Sequence, residues 1–328
     1  MKWLITGGCG FIGSQLVDRL VKDGNHKIRI VDDFSVGSPE ALGDLDIAIK
    51  PAGETAPWSN QIIITEDNIL NAKNAVTYAQ GADVIVHLAA NTGVKPSVDD
   101  PRMDCEVNVL GTFNYLDALR QQKGGRFVFA SSGAPVGNVT PPVHEELAPH
   151  PVSPYGASKL AGEGYCSAFA HSYGVDTVAL RFGNVYGKAS LHKSSVVARF
   201  CSALANGEQL TIYGSGAQTR DFIHMDDLLD AVYLAATVEG IGGETFQIAT
   251  NQETTVNEIA DMLIEIAQSH GVKTPGIKHD TPRAGDVARN FSDTSKAREI
   301  LGWQPKRELR EGLEEVFLWF LENDKKTM

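Results

Sequence analysis

Thr6-Gly7-Gly8-Cys9-Gly10-Phe11-Ile12-Gly13 (TGGCGFIG) follows a strand-like run, Lys2-Trp3-Leu4-Ile5, and opens a helical pattern over residues 11–23. Glycines at every third position let the chain turn tightly. They also let a pyrophosphate approach the helix N-terminus, where free amides and the helix dipole favour an anion. The spacing is one residue wider than the common dinucleotide fingerprint, and an ordinary strand–helix turn also carries glycines. Asp32 supports the dinucleotide reading. It stands at the end of the next strand (27–31), about 20 residues into the unit, where an acid bonds ribose hydroxyls. A carboxylate there repels a 2′-phosphate, so NAD is expected rather than NADP.

Outward from this stretch, strands at 27–31, 62–64, 84–88, 127–130 and 177–180 alternate with helical patterns at 11–23, 108–121 and 154–173. Ser153-Pro154 supplies an N-cap and a first-turn proline, and Gly174 closes that helix. The alternation predicts an α/β fold, a Rossmann-like doubly wound parallel sheet. Past residue 185 it loosens, and 196–206, 255–269 and 309–322 read as amphipathic helices. The expected organisation is an NAD-binding domain over 1–184, to which 219–250 returns. A smaller mixed α/β substrate-binding cap is expected from 185–218 and 251–328. Residues 50–60 read as a surface loop.

The 328 residues are 42 % hydrophobic and 21 % charged, the composition of a globular enzyme. A net charge of −12 disfavours nucleic acid as a partner. No apolar run approaches the roughly 18 residues of a membrane helix. The first residues turn glycine-rich before a signal sequence develops, so a cytoplasmic location is expected. Cys9, Cys105, Cys166 and Cys201 form no C-x-x-C pair and the histidines are scattered, so reduced thiols and no metal site are expected.

Tyr155-Gly156-Ala157-Ser158-Lys159 places a tyrosine and a lysine four residues apart, on one helix face. A free phenol, with a pKa near roughly 10, is a poor base at neutral pH. A neighbouring ammonium and an oxidised nicotinamide ring are expected to lower that value. The stretch Ala130-Ser131-Ser132-Gly133-Ala134-Pro135-Val136-Gly137 puts hydroxyls at a strand end with no acid beside them. His87 reads as a buried structural histidine.

Taken in order, TGGCGFIG, VDDFSVGS, VIVHLAA, NVLGTFN, FASS, SPYGASK, LRFGNVYG, TRDFIHMDD and PRAGDV…DTSKAREILGW resemble the extended short-chain dehydrogenase/reductase family, specifically its nucleotide-sugar epimerase and dehydratase branch. The resemblance implies that Ser132, Tyr155 and Lys159 are catalytic. It implies cofactor contacts from Gly7, Gly10, Phe11, Ile12, Gly13, Asp32, Asp33, Ser35, Gly37, Asp67, Asn68, Leu88, Ala89, Ala90 and Asn108, beside Tyr155 and Lys159. Substrate contacts are implied from Val94, Ser97, Ser132, Asn184, Val196, Arg220, Arg283, Asp286 and Asn290. Arginine suits a diphosphate because its charged fork matches phosphate oxygens. A nucleotide-diphosphate sugar (a UDP-sugar first), a tightly bound NAD and a homodimer through the helices at 108–121 and 154–173 also follow from the resemblance.

Within that branch, 4,6-dehydratases carry an Asp-Glu pair after the catalytic hydroxyl residue, and decarboxylases a glutamate. Here those positions are Gly133 and Ala134. What remains is a 4-epimerase: oxidation at C4, rotation of the 4-keto sugar, and reduction on its other face. A dehydratase or decarboxylase with relocated acids, a 4-keto reductase, and a non-catalytic NAD-sensing scaffold are the rival readings. Two positions depart from the family. Pro135-Val136 replaces a Val-Tyr pair in the serine loop. Asn290 stands where related epimerases place either a bulky tyrosine or a small residue, with consequences for the sugar accepted.

Overall fold

The structure is a computed structural model that describes residues 1–191, 193–282 and 287–324. Its strands in chain order are β1 (Lys2–Thr6), β2 (Lys27–Asp32), β3 (Ile47–Pro51), β4 (Ile62–Glu66), β5 (Val84–His87), β6 (Arg126–Ser132), β7 (Asp176–Phe182), β8 (Asn184–Tyr186), β9 (Leu210–Tyr213), β10 (Thr219–Arg220), β11 (Phe222–His224), β12 (Glu244–Ile248), β13 (Thr254–Thr255) and β14 (Ile277–Asp280). The helices are α1 (Phe11–Asp23), α2 (Ala72–Ala79), α3 (Val94–Asp99), α4 (Pro101–Cys105), α5 (Thr112–Gln122), α6 (Pro154–Tyr173), α7 (Val196–Ala205), α8 (Met225–Thr237), α9 (Val256–Ser269) and α10 (Leu309–Asn323).

Eight strands form one parallel sheet in the order β12-β7-β6-β5-β1-β2-β4-β3. Near-continuous runs such as Ile28–Val31 and Phe127–Ala130 suit strands covered on both faces. One face packs Trp3, Ile5 and Val128 against α1 and α8; the other packs Leu4, Ile85 and Phe127 against α2, α5 and α6. Strand order reverses between β1 and β5, and the C-terminal ends of β1, β2, β5 and β6 converge there. In a doubly wound sheet that crevice is where a ligand sits. A third core, built on Phe200, Leu263 and Phe317, joins α7, α9 and α10.

Several boundaries differ from the sequence reading. Residues 50 and 51, expected in a loop, end an edge strand, β3, paired with β4. The rest of that segment is pinned: the Arg29 guanidinium lies 4.0 Å from the Trp58 ring centroid and donates to the Ala56 carbonyl at 2.5 Å. The helix expected from residue 108 begins as a π-helical stretch, Glu106–Gly111, before α5. Strand β6 runs on through Ser132, which pairs with Phe182.

Helix α6 starts as its sequence dictates. Ser153 accepts from the Gly156 amide at 3.1 Å, Pro154 stands in the first turn and Gly174 ends the helix at φ +67. It lies close on β6: a Cβ on Gly162 would stand 2.3 Å from the Phe129 ring. Glu163 and Arg181, each with a side chain 6 % exposed, form a bidentate pair at 2.8 and 2.7 Å that ties α6 to β7. The segment between Ser132 and α6 is held by the distant end of the chain. The Val143 amide donates to Phe291 and the Asp293 amide to Val143, both at 2.8 Å, and Glu145 accepts from the Gln247 amide at 2.6 Å.

Gly162→Ala is expected to lower stability by about 1–3 kcal/mol, because a ring fixed in the sheet cannot move aside. Urea denaturation with an unchanged m value checks this; a midpoint equal to wild type contradicts it.

Candidate functional site

The glycine turn between β1 and α1 is shaped by contacts that exclude side chains. Gly7 has φ +70, and a Cβ there would stand 2.7 Å from the Ala89 amide nitrogen after β5. A Cβ on Gly13 would fall 2.3 Å from the Gly7 carbonyl, and one on Gly37 would fall 2.2 Å from that of Cys9. Gly10 is the exception, meeting only the Gly7 oxygen, at 3.3 Å. It is the N-cap of α1, and no side chain caps that helix. The first turn therefore offers its amides to a ligand on the open side, as a pyrophosphate requires. Phe11 and Ile12 of that turn are partly buried against the core beneath.

Asp32, at the end of β2, binds the turn from below. Its carboxylate accepts from the Cys9 amide at 2.9 Å and the Phe34 amide at 3.0 Å. Burial pushes its pKa up, and those two amides act against the rise. Asp33 accepts from the Ser35 amide at 3.1 Å and from the Asn68 side chain at 2.9 Å, so Asp33, Ser35 and Asn68 form one rim. Asp67, the residue after β4, gathers hydrogen bonds from its own surroundings. Its carboxylate accepts from the Asn68 amide and from the side chains of Asn71, Asn74 and Tyr78. Those four donors match the capacity of a carboxylate, so Asp67 organises the strand end from within.

Across the crevice, Leu88, Ala89 and Ala90 form the partly buried exit from β5. His87 is buried among Tyr115, Phe127 and Phe129, hydrogen-bonds Thr6 at 2.8 Å, and is held neutral by burial, with its pKa down to about 3. Asn108, in the π-helical stretch, clamps the next residue of that exit. It accepts from the Asn91 amide at 2.8 Å and donates to the Asn91 carbonyl at 3.0 Å. It also reaches Asp104 at 3.0 Å and Ser158 at 3.1 Å. A π-helical bulge often marks a functional residue, because the extra residue re-aims the neighbouring side chains.

Ser132 ends β6, and Tyr155 and Lys159 approach from α6. The Lys159 ammonium, 3 % exposed as a residue, donates to the Ala130 carbonyl at 2.8 Å and lies 5.9 Å from the Tyr155 ring centroid. Burial lowers its pKa to about 8, against the attraction of Asp104 and Glu163. Burial acts on Tyr155 against the lowering expected from the ammonium and the nicotinamide ring together. In the protein itself its pKa lies above the ordinary value; burial raises it and the Ser132 hydroxyl only partly offsets that. Pro135 and Val136 are both buried within the serine loop.

The substrate assignments divide. Asn290 lies beside the serine loop: a Cβ on Gly133 would be 3.8 Å from its side-chain nitrogen. Asn184 is exposed on β8, and Arg220 on β10 donates to the Thr219 and Val287 carbonyls at 2.6 and 2.7 Å. Val94 is 46 % exposed, whereas Ser97 is buried and donates to the Val94 carbonyl at 2.7 Å. Val196 packs partly against the third core. Arg283 and Asp286 lie outside the described residues. Two residues at the site escaped the sequence reading. Asp104 stands behind Asn108, and Lys193 lays its ammonium 5.4 Å from the Phe11 ring centroid, beside the glycine turn. Among the described residues no group of three or more acidic, histidine or cysteine side chains is arranged to hold a metal ion, and no helix is long and apolar enough to cross a membrane.

Residues 3–249 match the profile of the NAD-dependent epimerase/dehydratase family. The chain is 38 % identical to a UDP-glucose 4-epimerase of Mycolicibacterium smegmatis, over 98 % of both chains. It is 30 % identical to dTDP-glucose 4,6-dehydratase 1 of Escherichia coli, over 99 % of this chain and 94 % of the other. Among solved structures, UDP-glucose 4-epimerase of Thermotoga maritima with UDP-glucose superposes with a TM-score of 0.87 at 33 % identity, over 99 % of this chain and 100 % of that one.

Asp32→Ala removes the acceptor beneath the glycine turn and the repulsion toward a 2′-phosphate. Titration followed by the fluorescence of bound reduced cofactor is expected to show about tenfold weaker NADH binding and a narrower preference over NADPH. Unchanged affinity for both cofactors contradicts the assignment.

Proposed function

The chain belongs to the NAD-dependent epimerase/dehydratase family, and we propose that within it this protein is a nucleotide-sugar 4-epimerase that keeps one NAD bound through successive turnovers. The observation that carries this reading is the Ser132, Tyr155 and Lys159 set followed directly by Gly133 and Ala134. Elimination across C5 and C6 of a sugar needs an acid and a base beside the serine, and these two residues supply neither. Reversible oxidation at C4 needs no further group.

NAD, when bound, supplies the hydride acceptor and donor for C4. The glycine turn, Asp32 and the β5 exit would hold it. Ser132 bonds the sugar 4-oxygen, and Tyr155 takes the proton from that hydroxyl and later returns it. Lys159 stabilises the phenolate. The phenol is a weak base while buried, so the nearby ammonium is needed for it to act near neutral pH. Asn290, beside Gly133, meets the sugar on the serine side and bears on its substituents. The likeness to a UDP-glucose 4-epimerase supports a UDP-hexose as substrate, with acetamido and uronic sugars as the competing choices.

A homodimer accompanies this reading. Val98, Met103, Leu110, Tyr165 and Tyr173 leave α3, α4, the π-helical stretch and α6 with exposed apolar side chains. A second copy applying the same helices would cover them. Leu110→Glu is expected to halve the mass seen by sedimentation; a wild-type monomer contradicts the dimer.

Incubation with UDP-glucose, UDP-N-acetylglucosamine and UDP-glucuronate, with NAD below the enzyme concentration, is read by NMR at C4. More epimer than NAD is expected, and Tyr155→Phe is expected to lower kcat about 100-fold or more. A 4-keto-6-deoxy product, released carbon dioxide, or an unchanged C4 configuration would overturn the assignment.

A further inference from the structure

The buried charges behind the candidate site do not balance without Asp104. Lys159 is buried with its ammonium on one carbonyl oxygen, and among the described residues it has no carboxylate within ion-pairing distance. The groups that bear on it are Tyr155, Glu163 and Cys166 of α6, His87 of β5 and Asp104 of α4. His87 is neutral, and burial pushes the Cys166 thiol far above its ordinary range. Glu163 is committed elsewhere: both oxygens receive Arg181, and one also receives the Ser131 hydroxyl. The Glu163–Arg181 pair is neutral as a unit, whereas Asp104 is joined to the helix of Lys159 by Asn108, whose side-chain amide reaches both Asp104 at 3.0 Å and Ser158, the residue before Lys159, at 3.1 Å.

Asp104 is 1 % exposed. One oxygen accepts from Asn108 at 3.0 Å, and the other, also buried, receives no aligned hydrogen bond. Nothing in the proposed chemistry uses this group. An isolated carboxylate or ammonium is costly to bury, whereas opposite charges buried near each other offset that cost.

We propose that Asp104 is a positioning residue of the catalytic centre: its ionised carboxylate fixes Asn108 and is the counter-charge that keeps the Lys159 ammonium charged at working pH. The two roles share one side chain. Through Asn108 it holds the Asn91 backbone and Ser158, and through its field it holds the proton on Lys159. Burial raises the Asp104 carboxyl above its ordinary value, and the Ser158 hydroxyl and the Lys159 charge offset that rise only in part. Removing the negative charge therefore makes Lys159 lose its proton at lower pH and takes the cation from the phenolate, while it also relieves the rise that Asp104 imposes on Tyr155.

The inference rests on Tyr155 and Lys159 being the working pair, so its test reads the lysine without any sugar. Asp104→Asn keeps an acceptor for Asn108 and deletes the charge. In protein carrying carbon-13-labelled lysine, with the Lys159 Cε resonance assigned through Lys159→Met, the titration midpoint of Lys159 is expected to fall by about one pH unit in Asp104→Asn. Asp104→Glu is expected to recover most of that shift. The alkaline limb of the turnover profile should move down with the midpoint, with little change in KM. A Lys159 midpoint unchanged in folded Asp104→Asn overturns the proposal. Should that variant not fold, the wild type decides: carbon-13 NMR of aspartate side chains must show Asp104 ionised at neutral pH, and a protonated Asp104 overturns the proposal equally. A shifted midpoint in a protein that epimerises no sugar would reject the epimerase reading and leave the role of Asp104 standing.

Discussion

Helix α6 carries a cation, Lys159, and an anion, Glu163, on the face it presses against the sheet, and the rest of the site follows from how those charges are kept dry. Neither tolerates burial alone. Glu163 meets a matching guanidinium on β7, which fixes the height of α6 over the sheet. Gly162 lets the helix approach the Phe129 ring at that height. With the helix so placed, Lys159 falls under the end of β6 and Tyr155 beside Ser132. A wider approach, such as a side chain at residue 162 would impose, would separate the phenol from the serine strand.

The dinucleotide side is governed by steric exclusion rather than by charge. Three backbone segments, after β1, β2 and β5, approach one another at separations where Cβ atoms do not fit. Asp32 then locks the turn by accepting an amide from it. The protein spends few of its own hydrogen bonds on the open side of that turn, which leaves the α1 amides for a ligand. On the opposite wall Asn108 does the corresponding work with a side chain, holding both polar groups of Asn91.

Much of this was legible in the chain. The glycine turn, the Ser153-Pro154 start of α6, and the Tyr155 and Lys159 spacing are local signals, written in residues a few positions apart. The edge strand β3 was not, because Ile47-Ala48-Ile49-Lys50-Pro51 is short, half exposed and ends in proline, so only its pairing with β4 makes it a strand. Asp104 resembles any first-turn helix acid until folding places Asn108 over it. Asp67 could be placed near the crevice but not recognised as saturated, since its donors Asn71, Asn74 and Tyr78 come from the following turn and helix. The lysine beside Tyr155 was legible in the sequence, but not the depth of burial that opposes it. That Pro135 and Val136 are buried was not legible, nor that Asn290 arrives from far along the chain to stand beside Gly133.

The loop between Ser132 and Tyr155 closes on partners that emerge late. Val143 needs Phe291 and Asp293, and Glu145 needs Gln247. The connection between the serine strand and the tyrosine helix is thus completed by residues at least a hundred positions further along the chain, so a change near residue 291 can reach the serine loop without touching the crevice.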